Sequence, residues 1–348
     1  IRPVTLTFFC VIAFGLMFTS CNNRENNPAQ SSDSITAVIP NTKGDPLPSW
    51  NEGDVKKGII QFVTTATKEG SSGFIPVNDR IAVFDNDGTL WSEQPLYFQF
   101  IFSLDKIKEM ATQHPDWKTK EPFKSILDGD VKKALAQGEK AYAALLGTTM
   151  AGMTSKAFDQ SVKEWISNAK HPTTKRLYTE MVFQPMLELL NFLRANGFQT
   201  FIVSGGDIDF IRAWAEKVYG IPPQQIVGST LDASYQVKND TPFILREPKL
   251  SLLNDGPGKP VGIYRHIGKK PVFAAGNSDG DYQMLQWTAS NTVPHMEIIV
   301  HHTDSIREWK YDRGSSIGRL EKGLDDAKKY GWILVDMKRD WKKVYPFE

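Results

Sequence analysis

Several short runs of apolar residues in this chain end abruptly in small polar or acidic residues. Such runs occupy 81–84, 200–203 and 272–275, and each is followed by residues such as Asp, Ser, Asn and Gly. Continuous apolar runs of this length favour parallel strands that are buried on both faces. The segments 297–300 and 332–335 predict two further strands. The pattern predicts an α/β fold, a Rossmann-like three-layer sandwich around a mainly parallel sheet.

The segment between the first two runs has helical rather than strand periodicity. Apolar residues recur at helical spacing over 98–107, and helical patterns also cover 131–146 and 158–169. We therefore expect an all-helical insertion over 96–179. The α/β core is then formed by 51–95 together with 180–348.

The N-terminal residues follow a different pattern. Arg2 precedes an apolar run over 4–18, and Cys21 follows shortly after it. This length fits the apolar region of a secretory signal, with a buried helix or a short membrane anchor as the alternatives. Residues 22–50 are polar and aperiodic, which predicts a flexible tether.

The segment 1–21 resembles a bacterial lipoprotein signal, in which the cysteine after the apolar run is lipidated. The resemblance implies lipidation of Cys21 and a lipid-anchored position in the bacterial cell envelope. The folded domain would then lie in the periplasm or outside the cell. The two cysteines, Cys10 and Cys21, both lie in this segment, so no disulfide is expected beyond it.

Composition narrows the range of partners. The 348 residues are 41% hydrophobic and 23% charged, which is ordinary for a globular protein. The 41 basic and 40 acidic residues leave a formal net charge of +1. Nucleic-acid binding usually needs a clear basic excess, so no nucleic-acid partner is expected. Membrane contact is expected through the N-terminal lipid anchor only.

The first apolar run leads into the strongest candidate for chemistry. Asp85-Asn86-Asp87-Gly88-Thr89 places two carboxyl groups two residues apart at a predicted strand end. Ligand sites of open parallel sheets lie at such carboxyl ends. Taken alone, the same residues are also typical of a turn or a helix cap. The remaining polar segments decide between these interpretations in favour of metal and phosphate chemistry.

The sequence Val-Phe-Asp-Asn-Asp-Gly-Thr-Leu resembles the first motif of the haloacid dehalogenase superfamily. The resemblance implies that Asp85 attacks phosphorus, and that Asp87 acts as general acid and then as general base. A carboxylate nucleophile divides one displacement into two steps, and a second carboxyl group assists both. Because dehalogenases of this family lack the second acid, Asp87 favours a phosphatase, with a phosphomutase as an alternative.

Two further segments supply candidates for binding a phosphoryl group. Ser204 and Gly205 follow the second run, where a hydroxyl and a backbone N–H near a helix N-terminus suit a phosphoryl oxygen. The alternative is an ordinary strand-to-helix turn. The resemblance to the family's second and third motifs implies that Ser204 and Lys259 contact the phosphoryl group. Three other lysines are rivals for the second role, namely Lys249, Lys269 and Lys270.

The last polar strand end resembles the family's fourth motif, with one departure. The family has Gly-Asp-x-x-x-Asp, whereas this chain has Asn277 in the first acidic position and Asp281 in the second. The resemblance implies a magnesium ion held by Asp85, the Asp87 backbone carbonyl and Asn277, with Asp281 in direct or water-mediated support. Asp279 is a rival ligand. An amide oxygen brings no negative charge, so we expect Asn277→Asp to keep or strengthen the magnesium dependence.

The helical insertion resembles the cap of phosphoserine-phosphatase-like members, which implies a lid that closes over the site and selects the substrate. Trp91 and Glu93 follow the first motif and are candidates for substrate contact, with packing inside the cap as the alternative for Trp91. The predicted activity is a magnesium-dependent phosphomonoesterase that hydrolyses a small phosphorylated metabolite through an aspartyl-phosphate. A phosphomutase and a non-catalytic ligand-binding lipoprotein are the alternatives.

Overall fold

A single mixed sheet forms the centre of the folded chain. The computed structural model describes residues 44–137 and 139–348, so the predicted signal, Cys21 and most of the predicted tether lie outside the described residues. The strands of the sheet are β1 (Ile81–Phe84), β2 (Gln199–Asp207), β3 (Ile226–Lys238), β4 (Thr241–Leu252), β5 (Phe273–Gly276), β6 (Met296–His301) and β7 (Ile333–Asp336). Their spatial order is β4-β3-β2-β1-β5-β6-β7, and only the β3–β4 pair is antiparallel.

Helices cover both faces of this sheet, and further helices form the insertion between β1 and β2. They are α1 (Asp54–Thr67), α2 (Phe98–Met110), α3 (Phe123–Leu127), α4 (Val131–Ala136), α5 (Glu139–Met150), α6 (Ser155–Ile166), α7 (Gln184–Ala195), α8 (Ile208–Arg212), α9 (Ala215–Tyr219), α10 (Gly258–His266), α11 (Tyr282–Ala289), α12 (Lys322–Tyr330) and α13 (Met337–Asp340). Within the described ranges, no helix has both the length and the apolar character needed to cross a lipid bilayer.

Alternation along the central strand explains the three layers. Ala82 and Phe84 of β1 point to one face, where α1 and α7 cover them. Ile81 and Val83 point to the other face, which α10, α11 and α12 cover. Successive side chains of a strand point to opposite faces, so a run that is apolar throughout needs a helical layer on each side. The predicted α/β sandwich is confirmed.

The predicted helical insertion lies between β1 and β2 and contains α2 to α6. The helical pattern at 131–146 forms two helices, α4 and α5. The insertion has a small apolar core of its own, which includes Phe100, Ile107 and Ile126. Phe102 and Phe158 instead join the main core of the α/β unit. This helical insertion, called the cap from here on, therefore packs one of its faces against the α/β core.

A long hairpin formed by β3 and β4 was not predicted from the sequence. Its outer part carries the partly or fully exposed side chains Tyr235, Val237 and Ile244. Nearer the sheet, Arg246 of β4 is buried and its Nε donates to the Met150 carbonyl oxygen over 2.8 Å. The hairpin therefore connects the edge of the sheet to the cap.

The folded domain begins earlier in the chain than the predicted boundary at residue 51. Leu47 and Trp50 are buried in the main core, and the Trp50 ring packs edge-on against Trp341 with centroids 5.9 Å apart. The Ser49 hydroxyl donates to Glu188 over 2.6 Å. The last residues assigned to the tether thus belong to the folded unit, because two isolated apolar side chains find buried positions that no local periodicity reveals.

Candidate active site

The polar residues that follow the parallel strands meet at the carboxyl ends of these strands, as the sequence predicts. Asp85 follows β1, Lys259 lies in the first turn of α10, and Asp281 lies between β5 and α11. The Lys259 ammonium donates to Asp85 Oδ1 over 2.6 Å and to Asp281 Oδ1 over 2.5 Å. It also donates to the Val203 carbonyl oxygen over 2.9 Å. These residues come from three distant parts of the chain, and all of them are buried.

Burial and charge act together in this cluster. Burial disfavours the charged form of Lys259, but attraction to Asp281 and Asp85 outweighs it and raises the pKa of the ammonium. Burial and repulsion from Asp281 raise the pKa of the Asp85 carboxyl well above its ordinary value, against the attraction of Lys259. One buried cation therefore faces an excess of carboxyl groups.

The rival lysines lie elsewhere on the surface. Lys249 pairs with Asp232, Lys269 with Asp79, and the Lys270 ammonium donates to the Ser290 hydroxyl. Lys259 alone among the four sequence candidates reaches Asp85.

The second acid of the first motif is held by an aromatic side chain. Asp87 is partly exposed, and its Oδ1 accepts a hydrogen bond of 2.7 Å from Trp91 Nε1. Burial raises the pKa of the Asp87 carboxyl, and the bond from Trp91 acts in the opposite direction. Trp91 is 1% exposed and stacks on Trp214, so the structure places it beneath Asp87, in the core rather than facing a substrate.

Asn277 lies beside the nucleophile candidate. Its Oδ1 is 3.1 Å from the Thr89 hydroxyl, and the same hydroxyl is 3.3 Å from Asp85 Oδ2. Thr89 therefore brings the Asn277 amide oxygen and the second Asp85 oxygen to one side of the site. Thr89 belongs to the first motif but was not singled out from the sequence.

The two acidic residues after Asn277, Asp279 and Asp281, make different contacts. Asp281 Oδ2 accepts backbone N–H groups from Asn277 at 2.9 Å and Ser278 at 3.0 Å, while its Oδ1 faces Lys259. Asp279 accepts backbone N–H groups at the start of α12, including that of Gly323 over 2.9 Å. Asp279 thus caps a helix, and Asp281 holds the loop and the lysine.

The second strand end has a different shape from the predicted one. β2 continues through Ser204 and Gly205 to Asp207, and α8 begins only at Ile208. Asp207 Oδ1 accepts the first free N–H groups of this short helix, from Asp209 and Phe210 at 3.0 Å each. The Gly206 N–H donates to the Ser204 hydroxyl oxygen over 3.0 Å. The N-terminus of this short helix is therefore already capped by Asp207.

Glu93 is buried in the loop between β1 and α2 and does not line an open substrate pocket. It is 2% exposed, and its Oε1 accepts hydrogen bonds of 2.7 Å from both Asn277 Nδ2 and the Tyr311 hydroxyl. Burial raises the pKa of the Glu93 carboxyl well above its ordinary value, and the bond from Tyr311 opposes that shift. The predicted encounter of Glu93 with a substrate ammonium is not what this geometry offers, because its contacts are with the protein.

A comparison with known proteins agrees with the arrangement of these strand ends. The family described as haloacid dehalogenase-like hydrolase matches residues 82–286. The chain belongs to this family. The match contains all four segments singled out from the sequence and confirms the predicted superfamily and hydrolase class. No curated protein sequence matches the chain significantly.

Solved structures add information about the fold. A conserved, functionally unknown protein from Anaerococcus prevotii is similar at 15% identity and a TM-score of 0.51, over 84% of this chain and 94% of that one. A phosphoserine phosphohydrolase-like protein from Francisella tularensis has 18% identity and a TM-score of 0.33, over 64% of this chain and 87% of that one. At 15% identity, the likeness to the Anaerococcus prevotii protein is one of fold.

The donor set fits a divalent cation. In the ranges that the structure describes, no three His, Cys, Asp or Glu side chains are grouped as a metal site. Magnesium, however, accepts amide and backbone carbonyl oxygens besides carboxylates. Asp85 Oδ2 and Asn277 Oδ1 lie on one side of Thr89, and the buried carboxyl groups exceed the single Lys259 cation. The oxygen donors and the unbalanced negative charge both suit a hard cation.

A hydrogen-bond network behind the first motif was missed from the sequence. β6 ends at His301. His302, however, is buried, and its Nε2 is 2.7 Å from the Gly88 carbonyl oxygen, while its Nδ1 is 3.0 Å from Glu308 Oε2. Both ring nitrogens of His302 therefore have a protein partner, and the ring connects the first-motif loop to Glu308. No local sequence signal connects His302 to a loop more than two hundred residues earlier.

Proposed function

We propose that this hydrolase is a magnesium-dependent phosphomonoesterase that acts on a small phosphorylated metabolite through an aspartyl-phosphate on Asp85. The observation that carries the proposal is the buried contact of Asp85 with Lys259, with Asp87 two residues further along the same loop. A cation beside a carboxylate nucleophile offsets the repulsion between that nucleophile and an incoming phosphate anion.

In the first step, a carboxylate oxygen of Asp85 forms a bond to phosphorus while the bond from phosphorus to the leaving oxygen breaks. Asp87 supplies the proton that the leaving oxygen takes up, so the alcohol departs neutral. In the second step, Asp87 accepts a proton from water as the water oxygen attacks the aspartyl-phosphate. The bond between the Asp85 oxygen and phosphorus breaks, inorganic phosphate leaves, and Asp85 and Asp87 return to their starting protonation states.

The other residues bind and orient the phosphoryl group. Lys259, the Ser204 hydroxyl and the Gly205 backbone N–H are the proposed donors to its oxygens. Asp85, the Asp87 backbone carbonyl and Asn277 are the proposed magnesium ligands, and the ion would supply positive charge near the phosphoryl oxygens. Asp281 supports the site by holding Lys259 and the loop that carries Asn277.

The cap supports a small substrate. Gln99 of α2 lies at the edge of the site, where its Oε1 accepts the Asp207 backbone N–H over 2.8 Å. A cap helix this close to the second strand end restricts the space above the proposed phosphoryl position. This placement favours a compact phosphoester over a macromolecule.

Phosphate release from a panel of small phosphoesters, with and without magnesium, tests the proposal. We expect magnesium-dependent release that disappears in Asp85→Asn, because an amide forms no acyl phosphate. Beryllium fluoride should bind to the wild type and not to this variant. Sugar-phosphate interconversion without release would favour a phosphomutase. No turnover by a folded, magnesium-binding protein would favour a ligand-binding role.

We also propose that Cys21 is lipidated and that the domain is anchored to the bacterial cell envelope. The support is the order of Arg2, the apolar run and Cys21 in the sequence. Mass spectrometry of the protein from bacterial membranes should detect acyl chains, and Cys21→Ser should release the domain into the soluble fraction. Cys10→Ser is the matched control and should remain in the membrane. Equal release of both variants would contradict the proposal.

A further inference from the structure

We propose that Glu93 is a positioning residue for Asn277, and that the two side chains together replace the aspartate of the family's fourth motif. Glu93 provides the carboxyl group, and Asn277 provides the oxygen that faces the metal position. The inference rests on the proposed magnesium site and assigns to Glu93 a task in that site.

The hydrogen bonds fix the direction of the Asn277 amide. Glu93 Oε1 accepts from Asn277 Nδ2 over 2.7 Å, so the nitrogen of the amide points to Glu93. The amide oxygen then points the other way, to the Thr89 hydroxyl at 3.1 Å. Asn277 is 1% exposed, so no solvent competes for these contacts. Without an acceptor at Glu93, either end of the amide could face the metal position, and an NH₂ group is no ligand.

The surroundings of Glu93 keep its carboxyl group in place. The Tyr311 hydroxyl donates to the same Oε1 over 2.7 Å, and the Tyr311 ring stacks on His302 with centroids 4.3 Å apart. Gly88 has φ +78, and a Cβ there would collide with both Asn277 Nδ2 and Glu93 Oε1. Gly318 has φ +64, and a Cβ there would also collide with Glu93 Oε1. The space around this contact is therefore filled on two sides by backbone.

This contact reverses the direction that sequence alone predicts for Asn277→Asp. An aspartate at 277 would place a second carboxyl group 2.7 Å from Glu93 Oε1, where the Asn277 nitrogen now lies. An ionised aspartate has no hydrogen to donate to Glu93, and the two carboxyl groups repel each other, so the new side chain loses the fixed orientation in which the Asn277 oxygen faces the metal position. We therefore expect Asn277→Asp alone to bind magnesium more weakly than the wild type. With Gln at 93, an amide nitrogen can donate to the new aspartate.

Magnesium affinity measured by titration calorimetry on the full chain tests the inference. Glu93→Leu removes the acceptor, and we expect it to weaken magnesium binding by about tenfold or more, the usual effect of losing a residue that orients a metal ligand. Glu93→Gln keeps an acceptor oxygen and should stay within about threefold of the wild type. The double variant Glu93→Gln/Asn277→Asp should recover the affinity that Asn277→Asp loses. Glu69→Leu is the control, since Glu69 is exposed and its replacement should leave the magnesium affinity unchanged.

Magnesium affinity, KM and phosphate release together distinguish the orientation of Asn277 by Glu93 from a role of Glu93 in substrate binding. Wild-type affinity in a folded Glu93→Leu, or a double variant weaker than Asn277→Asp, would overturn the inference. An increased KM with unchanged magnesium affinity in Glu93→Leu would instead assign Glu93 to the substrate. If the wild type binds magnesium but releases no phosphate, the proposed function fails while the affinities still test Glu93. If the wild type binds no magnesium, the inference fails with the metal site.

Discussion

The indole of Trp91 donates a hydrogen bond of 2.7 Å to the carboxyl group of Asp87. Trp91 lies four positions after Asp87 in the chain, and its ring is stacked on Trp214 with centroids 4.2 Å apart. The proposed general acid is therefore held by a side chain that is itself fixed by the core. Precise orientation of a proton donor is a large part of its catalytic effect.

We expect Trp91→Phe to lower kcat by about tenfold, because Asp87 loses its fixed orientation. The lost bond also favours the ionised carboxylate, so its removal should raise the pKa of Asp87 further. The limb of the pH–rate profile that depends on Asp87 should then move to higher pH. Trp214→Phe is the matched control, because Trp214 Nε1 has no hydrogen-bond partner in the described chain. Equal effects of the two variants would mean that packing alone matters.

Lys259→Met should abolish nearly all turnover and also destabilise the fold. It leaves Asp85 and Asp281 buried without their cation, a change that typically costs about 3–5 kcal/mol. Denaturant unfolding should show that loss, and adding Asp281→Asn should recover part of the stability without recovering phosphate release. The exposed pair of Lys249 with Asp232 supplies a control, and Lys249→Met should leave the unfolding midpoint nearly unchanged. A stable and active Lys259→Met would contradict the proposed site.

Arg246 should be essential for docking the cap. It is buried, pairs with Asp207 over 2.7 Å and with Asp209, and its guanidinium lies 4.0 Å from the centroid of the Phe158 ring. We expect Arg246→Met to destabilise the protein by about 3 kcal/mol. Hydrogen exchange should increase in α5, α6 and the β3–β4 hairpin before it increases in β1. Arg212→Met is the control, since its pair with Asp209 is partly exposed, and unchanged exchange in Arg246→Met would refute the docking role.

Stability should fall as the pH rises because of Glu297. Burial raises the pKa of this carboxyl from 4.5 to about 8. The folded state then holds the proton more tightly than the unfolded chain, so the contribution is complete below pH 4.5 and is lost as the pH approaches about 8. Glu297→Gln stays neutral and should have a higher Tm than the wild type above that pH. Below pH 4.5 the two should agree.

The control for this prediction is Glu69→Gln, because Glu69 is exposed. It should leave the Tm difference between low and high pH as it is in the wild type. A wild-type Tm that does not fall between pH 4.5 and about 8, or a Glu297→Gln variant with the same fall, would show that Glu297 is ionised in the folded protein.

Local sequence was sufficient for five strands of the sheet, β1, β2, β5, β6 and β7, and for the first members of the site. Four-residue apolar runs predicted the buried strands, because a parallel strand covered on both faces has to be apolar throughout. Asp85, Lys259 and Asn277 follow from polar residues at strand ends or at a helix start. The β3–β4 hairpin could not be predicted in the same way, because the outer parts of both strands carry exposed apolar side chains and lack a continuous buried run. The hairpin packs against the cap only through residues such as Arg246.

The sequence by itself determined which residues carry the candidate chemistry, because strand ends and motif spacing are local properties. Only the tertiary structure decided what surrounds them. In the sequence Trp91 and Glu93 are candidates for substrate contact, with packing inside the cap as the alternative for Trp91. In the structure the Trp91 indole donates to Asp87, and Glu93 accepts a hydrogen bond from Asn277. Burial and hydrogen-bond partners depend on segments that are far apart in the chain, such as Tyr311 against Glu93. A one-dimensional pattern does not contain those distances, and folding alone brings the partners together.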